Sequence, residues 1–134
     1  MDRKRLGEVW LFESLDRHEL DQLAEWTDEV SVGAGHELAT EGRFAHEFFV
    51  ILEGTAEVQQ GGRTIAELGP GDFFGEIGLL ETERRTASVV ASTPMRVIVM
   101  FGREFRQMER DMPAVAERIR AAIRARLDGS PAPG

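Results

Sequence analysis

The chain has 134 residues, 42% of them hydrophobic and 30% charged, which is ordinary for one globular domain with a usable core. Sixteen basic residues against 24 acidic ones give a formal net charge of −8, which argues against a broad nucleic-acid-binding surface, and zero cysteines exclude disulfides, thiolate metal sites, iron–sulfur clusters and a cysteine nucleophile. No apolar run approaches the ~20 residues that span a bilayer, and Glu8, Glu13 and Asp16 interrupt the stretch after the basic start too early for a signal peptide, so a cytoplasmic protein without membrane insertion is expected.

Leu6 to Thr27 reads as helical, with Leu11, Leu15, Leu20, Leu23, Ala24 and Trp26 at spacings near three and four. Asp16 followed by Glu19 has the form of a capping box that opens a helix. Trp10 and Trp26 are expected to pack these helices. From Glu29 to Phe101 glycines punctuate short strand-like runs: "HELATEG", "FFVILEGTAEVQ", "RTIAELGPG", "RTASVVAST" and "MRVIVMF". Strands at this spacing with glycine turns suggest a sandwich, roll or barrel, and Gly61-Gly62 suits a hairpin turn. Asp72, ahead of Phe73 and Phe74, reads as a turn residue.

Gly102 to Asp111 reads as a short helix, broken at Met112-Pro113, and Pro113 suits the first turn of the next helix. That last helix places Val115, Ile119, Ala122, Ile123 and Leu127 on one stripe, expected to be core or a dimer seam. Residues 128–134 are expected to form a flexible tail. The predicted organisation is a single domain over 1–127, with N-terminal helices at 6–27, strands at 28–101 and C-terminal helices at 102–127. No helix-turn-helix follows the last helix, so direct DNA binding is not expected. His18, His36 and His46 stand in unrelated local contexts without a second ligand pair, so no metal is expected.

The chemistry concentrates between Gly75 and Ala87. Gly75 and Gly78 bracket Glu76 and Ile77, so the backbone there can approach a ligand closely. A single helical turn from Ile77 to Leu80 would offer unpaired N–H groups to an anion. Arg85 follows Glu76 by nine residues and can grip a phosphate through two parallel N–H···O bonds. Thr86 adds a hydroxyl, and Ala87 is small enough for its backbone to approach the same anion. The set offers a cation, a hydroxyl and amides for a phosphate, and a carboxylate for a neighbouring hydroxyl. A cyclic ribose phosphate carries both groups. Arg84 and Arg85 point to opposite faces if they lie on a strand. Arg84 reads as a loop charge near Glu81 and Glu83.

"GPGDFFGEIGLLETERRTASVV" resembles the phosphate-binding cassette of the cyclic nucleotide-binding domain family, whose pattern is Gly-Glu-(Leu/Ile)-(Gly/Ala)-Leu, a short variable stretch, then Arg-(Ser/Thr/Ala)-Ala. "FFVILEGTAEV" is similar to the family's strand–glycine–strand element around Gly54. The resemblance, over about Leu6 to Leu127, implies a mainly β fold with helical flanks: a β-roll or jelly roll of about eight short strands between N-terminal and C-terminal helices. It implies that Glu76 accepts from the ribose 2′-hydroxyl, Arg85 pairs with the cyclic phosphate, Thr86 donates to a phosphate oxygen, and amides near Gly75, Gly78 and Ala87 complete the cradle. Leu79 would lie under the cassette. Val58, Ile65 and Ile123 are candidates for the base pocket.

The expected function is a stand-alone cyclic nucleotide sensor, not an enzyme, that binds cAMP, with cGMP possible, and signals through movement of its C-terminal helix to a protein partner or within a homodimer. The alternatives are a ligand-free protein-interaction domain of the same fold and a subunit whose effector is a separate chain.

Overall fold

A computed structural model describes residues 3–9, 12–43, 47–74 and 87–129. In chain order these form α1 (Arg3–Gly7), α2 (Arg17–Glu25), β1 (Asp28–Val32), β2 (Glu37–Ala39), β3 (Glu47–Glu53), β4 (Ala56–Gln60), β5 (Arg63–Leu68), β6 (Phe73–Phe74), β7 (Ser88–Ala91), β8 (Met95–Phe101), α3 (Gly102–Asp111) and α4 (Pro113–Gly129). The eight described strands make two antiparallel four-stranded sheets, ordered β1-β8-β3-β6 and β2-β7-β4-β5. This is the expected β-roll with helical flanks.

The apolar runs of β3 and β8 pair along their length and are buried on both faces. Alternate side chains of a strand point to opposite faces, so the two strands feed two cores. Phe49, Ile51, Met95, Val97 and Val99 join Ala56, Val58, Leu68, Val89 and Ala91 between the sheets. Phe48, Val50, Ile98 and Met100 turn the other way, onto Leu6, Leu23, Phe105, Met108 and Ile119 of the helices. The Phe73-Phe74 pair divides the same way. Phe74 stacks on Phe49 with centroids 4.7 Å apart, and Phe73 lies 5.7 Å from Phe48. Each large side chain buried in this way contributes about 1.5–3 kcal/mol.

Two connections need glycine. In the β4–β5 hairpin both Gly61 (φ 59°) and Gly62 (φ 78°) occupy the left-handed region, as a two-residue hairpin of this hand requires. Gly54, between β3 and β4, has φ 89°, and a Cβ there would meet the Pro94 carbonyl oxygen at 2.4 Å.

Asp16 caps α2 as its spacing predicts. Its Oδ1 accepts from the Glu19 N–H at 2.8 Å, and Glu19 Oε1 accepts from the Asp16 N–H at 3.0 Å. Asp16→Ala removes this acceptor and is expected to cost about 1 kcal/mol, read as a lower denaturant midpoint with an unchanged slope. At the other end of α2 the buried Thr27 hydroxyl donates to the Leu23 carbonyl at 3.0 Å. Pro113 opens α4, whose Val115, Ala116 and Ile119 are buried against the outer face of the first sheet, and Trp26 packs at the edge of the same core.

Ion pairs fasten the last helix from both sides. Arg118 meets Glu19 of α2. Arg120 meets Glu109 of α3 and Glu117 at 2.9 Å, and its guanidinium lies 5.5 Å from the centre of the Phe105 ring.

Among the described residues the first helix starts at Arg3 and α4 is described to Gly129; helix ends fray, and their last turns are set by backbone bonding that composition does not reveal. β1 and β6 are strands although neither appears among the strand-like runs. β1 is an edge strand with an acidic start, and β6 has only two residues, too few to show an alternation. Trp10, His46 and residues 130–134 lie outside the described residues.

Candidate functional site: the entry and exit of the cassette

Gly75, Glu76, Ile77, Gly78, Arg85 and Thr86 lie outside the described residues, as do Leu79 and Arg84. The structure fixes the two points between which they are strung. The entry is β6, held on the edge of the first sheet by Phe49↔Phe74 and Val50↔Phe73. A tight turn delivers it. The Asp72 carboxylate accepts from the Gly69 N–H at 2.8 Å, the Asp72 carbonyl accepts from the Ile51 N–H at 2.9 Å, and the Gly71 N–H donates to the Ile51 carbonyl at 2.9 Å. Asp72 is thus the turn residue its context suggests.

The exit is Ala87 and β7, in the second sheet. Ala87 is 4% exposed and belongs to the core between the sheets. Ser88 pairs with Gln59 of β4, and Val89 with both Val58 and Ala39. Residues 75–86 therefore connect an edge strand of one sheet to an interior strand of the other.

Side-chain-to-backbone bonds tie that exit to its neighbours. The Glu41 N–H donates to Ser88 Oγ at 2.9 Å, and Glu41 Oε1 accepts from the Gly61 N–H at 3.0 Å. Sequence reading missed this contact, since separations of 47 and 20 residues leave no local signal.

Of the candidates for a base pocket, Val58 is fully buried between the sheets, whereas Ile65 is 53% exposed. Ile65 is the extra residue of a bulge, because Val58 pairs with Ala66 and Gln59 with Thr64. Bulges turn a side chain off the regular alternation. The two side chains do not share a face. Ile123 lies on α4, but its side chain is outside those described.

Between β1 and β2 the sandwich opens into a cleft of about 280 Å³ floored by Phe49, Val97 and Val99 and rimmed by Asp28, His36 and Glu47. His18 and His36 are exposed, and among the described residues no cluster of His, Asp and Glu is placed to hold a metal ion. On the helical side Arg5 bridges Glu29 at 3.3 Å and Glu53 at 3.5 Å, and Arg96 meets Glu29 at 2.6 Å. Partial burial pulls the Arg5 guanidinium down, but the Glu29 and Glu53 carboxylates outweigh it and hold it above its ordinary range.

Residues 29–111, from β1 through α3 and including the whole cassette, match the model of the cyclic nucleotide-binding domain. The chain belongs to the cyclic nucleotide-binding domain family. It is 33% identical over 124 residues to a cAMP-dependent protein kinase regulatory subunit from Mycosarcoma maydis, covering 86% of this chain and 24% of that one. A cyclic nucleotide-gated potassium channel from Rhizobium etli is 30% identical over 123 residues, covering 92% of this chain and 34% of the channel. The crystal structure of the Thermus thermophilus catabolite activator protein superposes with a TM-score of 0.76 at 28% identity, over 89% of this chain and 58% of that one. The chain thus spans about a quarter to a third of the length of the curated relatives it matches. Among the described residues of this cyclic nucleotide-binding domain, no helix is long and apolar enough to cross a membrane.

Proposed function

We propose that this domain is a cyclic nucleotide sensor that prefers cAMP to cGMP. The observation that carries the reading is the order Gly75-Glu76-Ile77-Gly78 … Arg85-Thr86-Ala87, set between two anchored strands of a family β-roll. In this reading Arg85 takes the cyclic phosphate through paired N–H···O bonds and Thr86 donates to a phosphate oxygen. Amides near Gly75, Gly78 and Ala87 complete the cradle. Glu76 accepts from the ribose 2′-hydroxyl. Ile65, exposed on the bulge of β5, and Ile123 on α4 are the side chains proposed to meet the base; Val58 would support them from the core.

The domain is proposed to be non-catalytic and cytoplasmic, and to signal through α4. The first turns of that helix are docked by Val115, Ala116 and Ile119 and clasped by Arg118 and Arg120. Ligand can shift the helix only by as much as its affinity differs between the two positions. A second copy, a protein partner or an effector chain would read that shift through α4.

Calorimetric titration of the purified chain with cAMP and cGMP tests the reading. Saturable binding with cAMP the tighter ligand is expected. No heat from either nucleotide at millimolar concentration sinks it, and nucleotide consumed during the titration would replace it with an enzyme.

A further inference from the structure

Three connections of the second sheet close into a ring at the exit of the cassette. Ser88 is paired to Gln59 across the β4–β7 ladder. Gln59 leads through Gln60 into the hairpin turn, whose Gly61 N–H donates to Glu41 Oε1 at 3.0 Å. Glu41, two residues beyond β2, donates its own N–H to Ser88 Oγ at 2.9 Å and so returns to the start. Glu41 thereby joins the β2–β3 loop to the β4–β5 turn through its carboxylate and to the first residue of β7 through its backbone N–H.

The groups of this ring lie at the surface, and a single exposed hydrogen bond adds little to the stability of a domain. Its location gives it another use. Ser88 is three residues after Arg85 and two after Thr86, and Ala87 between them is pinned in the core. Fixing the backbone at Ser88 fixes where the chain must point as it leaves the sheet. A binding group held in place beforehand loses less freedom when the ligand arrives. A negative charge close to an anion-binding loop would by itself weaken phosphate binding. A carboxylate at this position is therefore informative, because its electrostatic effect and its positioning effect have opposite signs.

We infer that Glu41 is a positioning residue for nucleotide binding, acting through Ser88 and the Gly61 turn to aim Arg85 and Thr86. The inference rests on the cyclic nucleotide reading and adds the residues that preorganise the phosphate grip.

The test is the affinity of the full chain for cAMP in four variants, with thermal midpoints measured alongside. Glu41→Ala and Ser88→Ala should each raise Kd about three- to tenfold, the equivalent of one lost hydrogen bond. Glu41→Gln keeps an acceptor oxygen for the Gly61 N–H and drops the charge, so it should bind as tightly as the native chain or more tightly. The Glu41→Ala, Ser88→Ala double variant should weaken binding by less than the product of the single effects, because both changes open one ring. Glu41→Ala that binds as well as native protein, or better, overturns the inference: the carboxylate is then only a nearby charge. Equal losses in Glu41→Ala and Glu41→Gln overturn it as well, since the acceptor would not matter. A native chain that binds neither cAMP nor cGMP removes the nucleotide reading, and the inference falls with it; native binding with unaffected variants removes the inference alone.

Discussion

Gly54→Ala is expected to destabilise the domain by about 2–5 kcal/mol, a large share of the ~5–15 kcal/mol that holds such a domain folded. Two independent costs add. The residue sits at φ 89°, where an L side chain crowds its own backbone. The new methyl would also lie 2.4 Å from the Pro94 carbonyl oxygen, 2.9 Å from Met95 Cγ and 3.0 Å from Met95 Cα. The neighbouring turn cannot step aside. The Ser92 N–H donates to the Thr55 carbonyl at 2.9 Å, Thr93 Oγ1 accepts from the Thr55 N–H at 3.0 Å, and Met95 is buried between the sheets. Gly33→Ala is the control, because a Cβ there meets nothing within 4 Å and its φ is not positive. Urea unfolding of the two variants reads the difference, and a loss below 1 kcal/mol for Gly54→Ala would show that the two turns can separate at little cost.

Arg85→Ala is expected to abolish or nearly abolish cyclic nucleotide binding, by about 2–5 kcal/mol, or some thirtyfold to several thousandfold in Kd. A guanidinium facing a phosphate in a largely dehydrated cradle makes two charge-assisted bonds, and the methyl that replaces it makes none. Arg84→Ala is the matched comparison. If the two arginines continue the extended course of β7, they face opposite ways and only one of them serves the proposed pocket. Calorimetry on both variants should give a large loss for Arg85 and a change within about threefold for Arg84, the scale of an exposed ion pair. A reversed pattern moves the phosphate to Arg84 and shifts the cassette register by one residue. Thermal midpoints close to the native value are expected for both.

Local features of the fold were legible because their causes are local. The Asp16–Glu19 cap, the Gly61-Gly62 turn and Pro113 at a helix start each depend on residues within one turn of chain. The apolar runs of β3 and β8 announce strands buried on both faces. What escaped is held by partners distant in sequence. β6 is a strand only because Phe49 and Val50 stand beside it. Arg118 finds Glu19 across 99 residues, and Glu41 finds Ser88 across 47. The cassette was legible as an ordered motif of unusual residue types; the bulge that turns Ile65 to solvent was not, because it arises from the pairing of β4 with β5.

The division of β3 and β8 between two cores has a thermodynamic consequence. Their paired backbones form a party wall: one side is the ceiling of the sandwich, the other the floor beneath the helices. Lifting the helices away would strip Phe48, Val50, Ile98 and Met100 at once, leaving a broad greasy face in water. Moving the wall by one residue would turn each side chain into the wrong room. The roll and its helices are therefore not two separable parts but tenants of one structure, and any motion of the helices that leaves the domain folded must be a slide across that floor and not a departure from it.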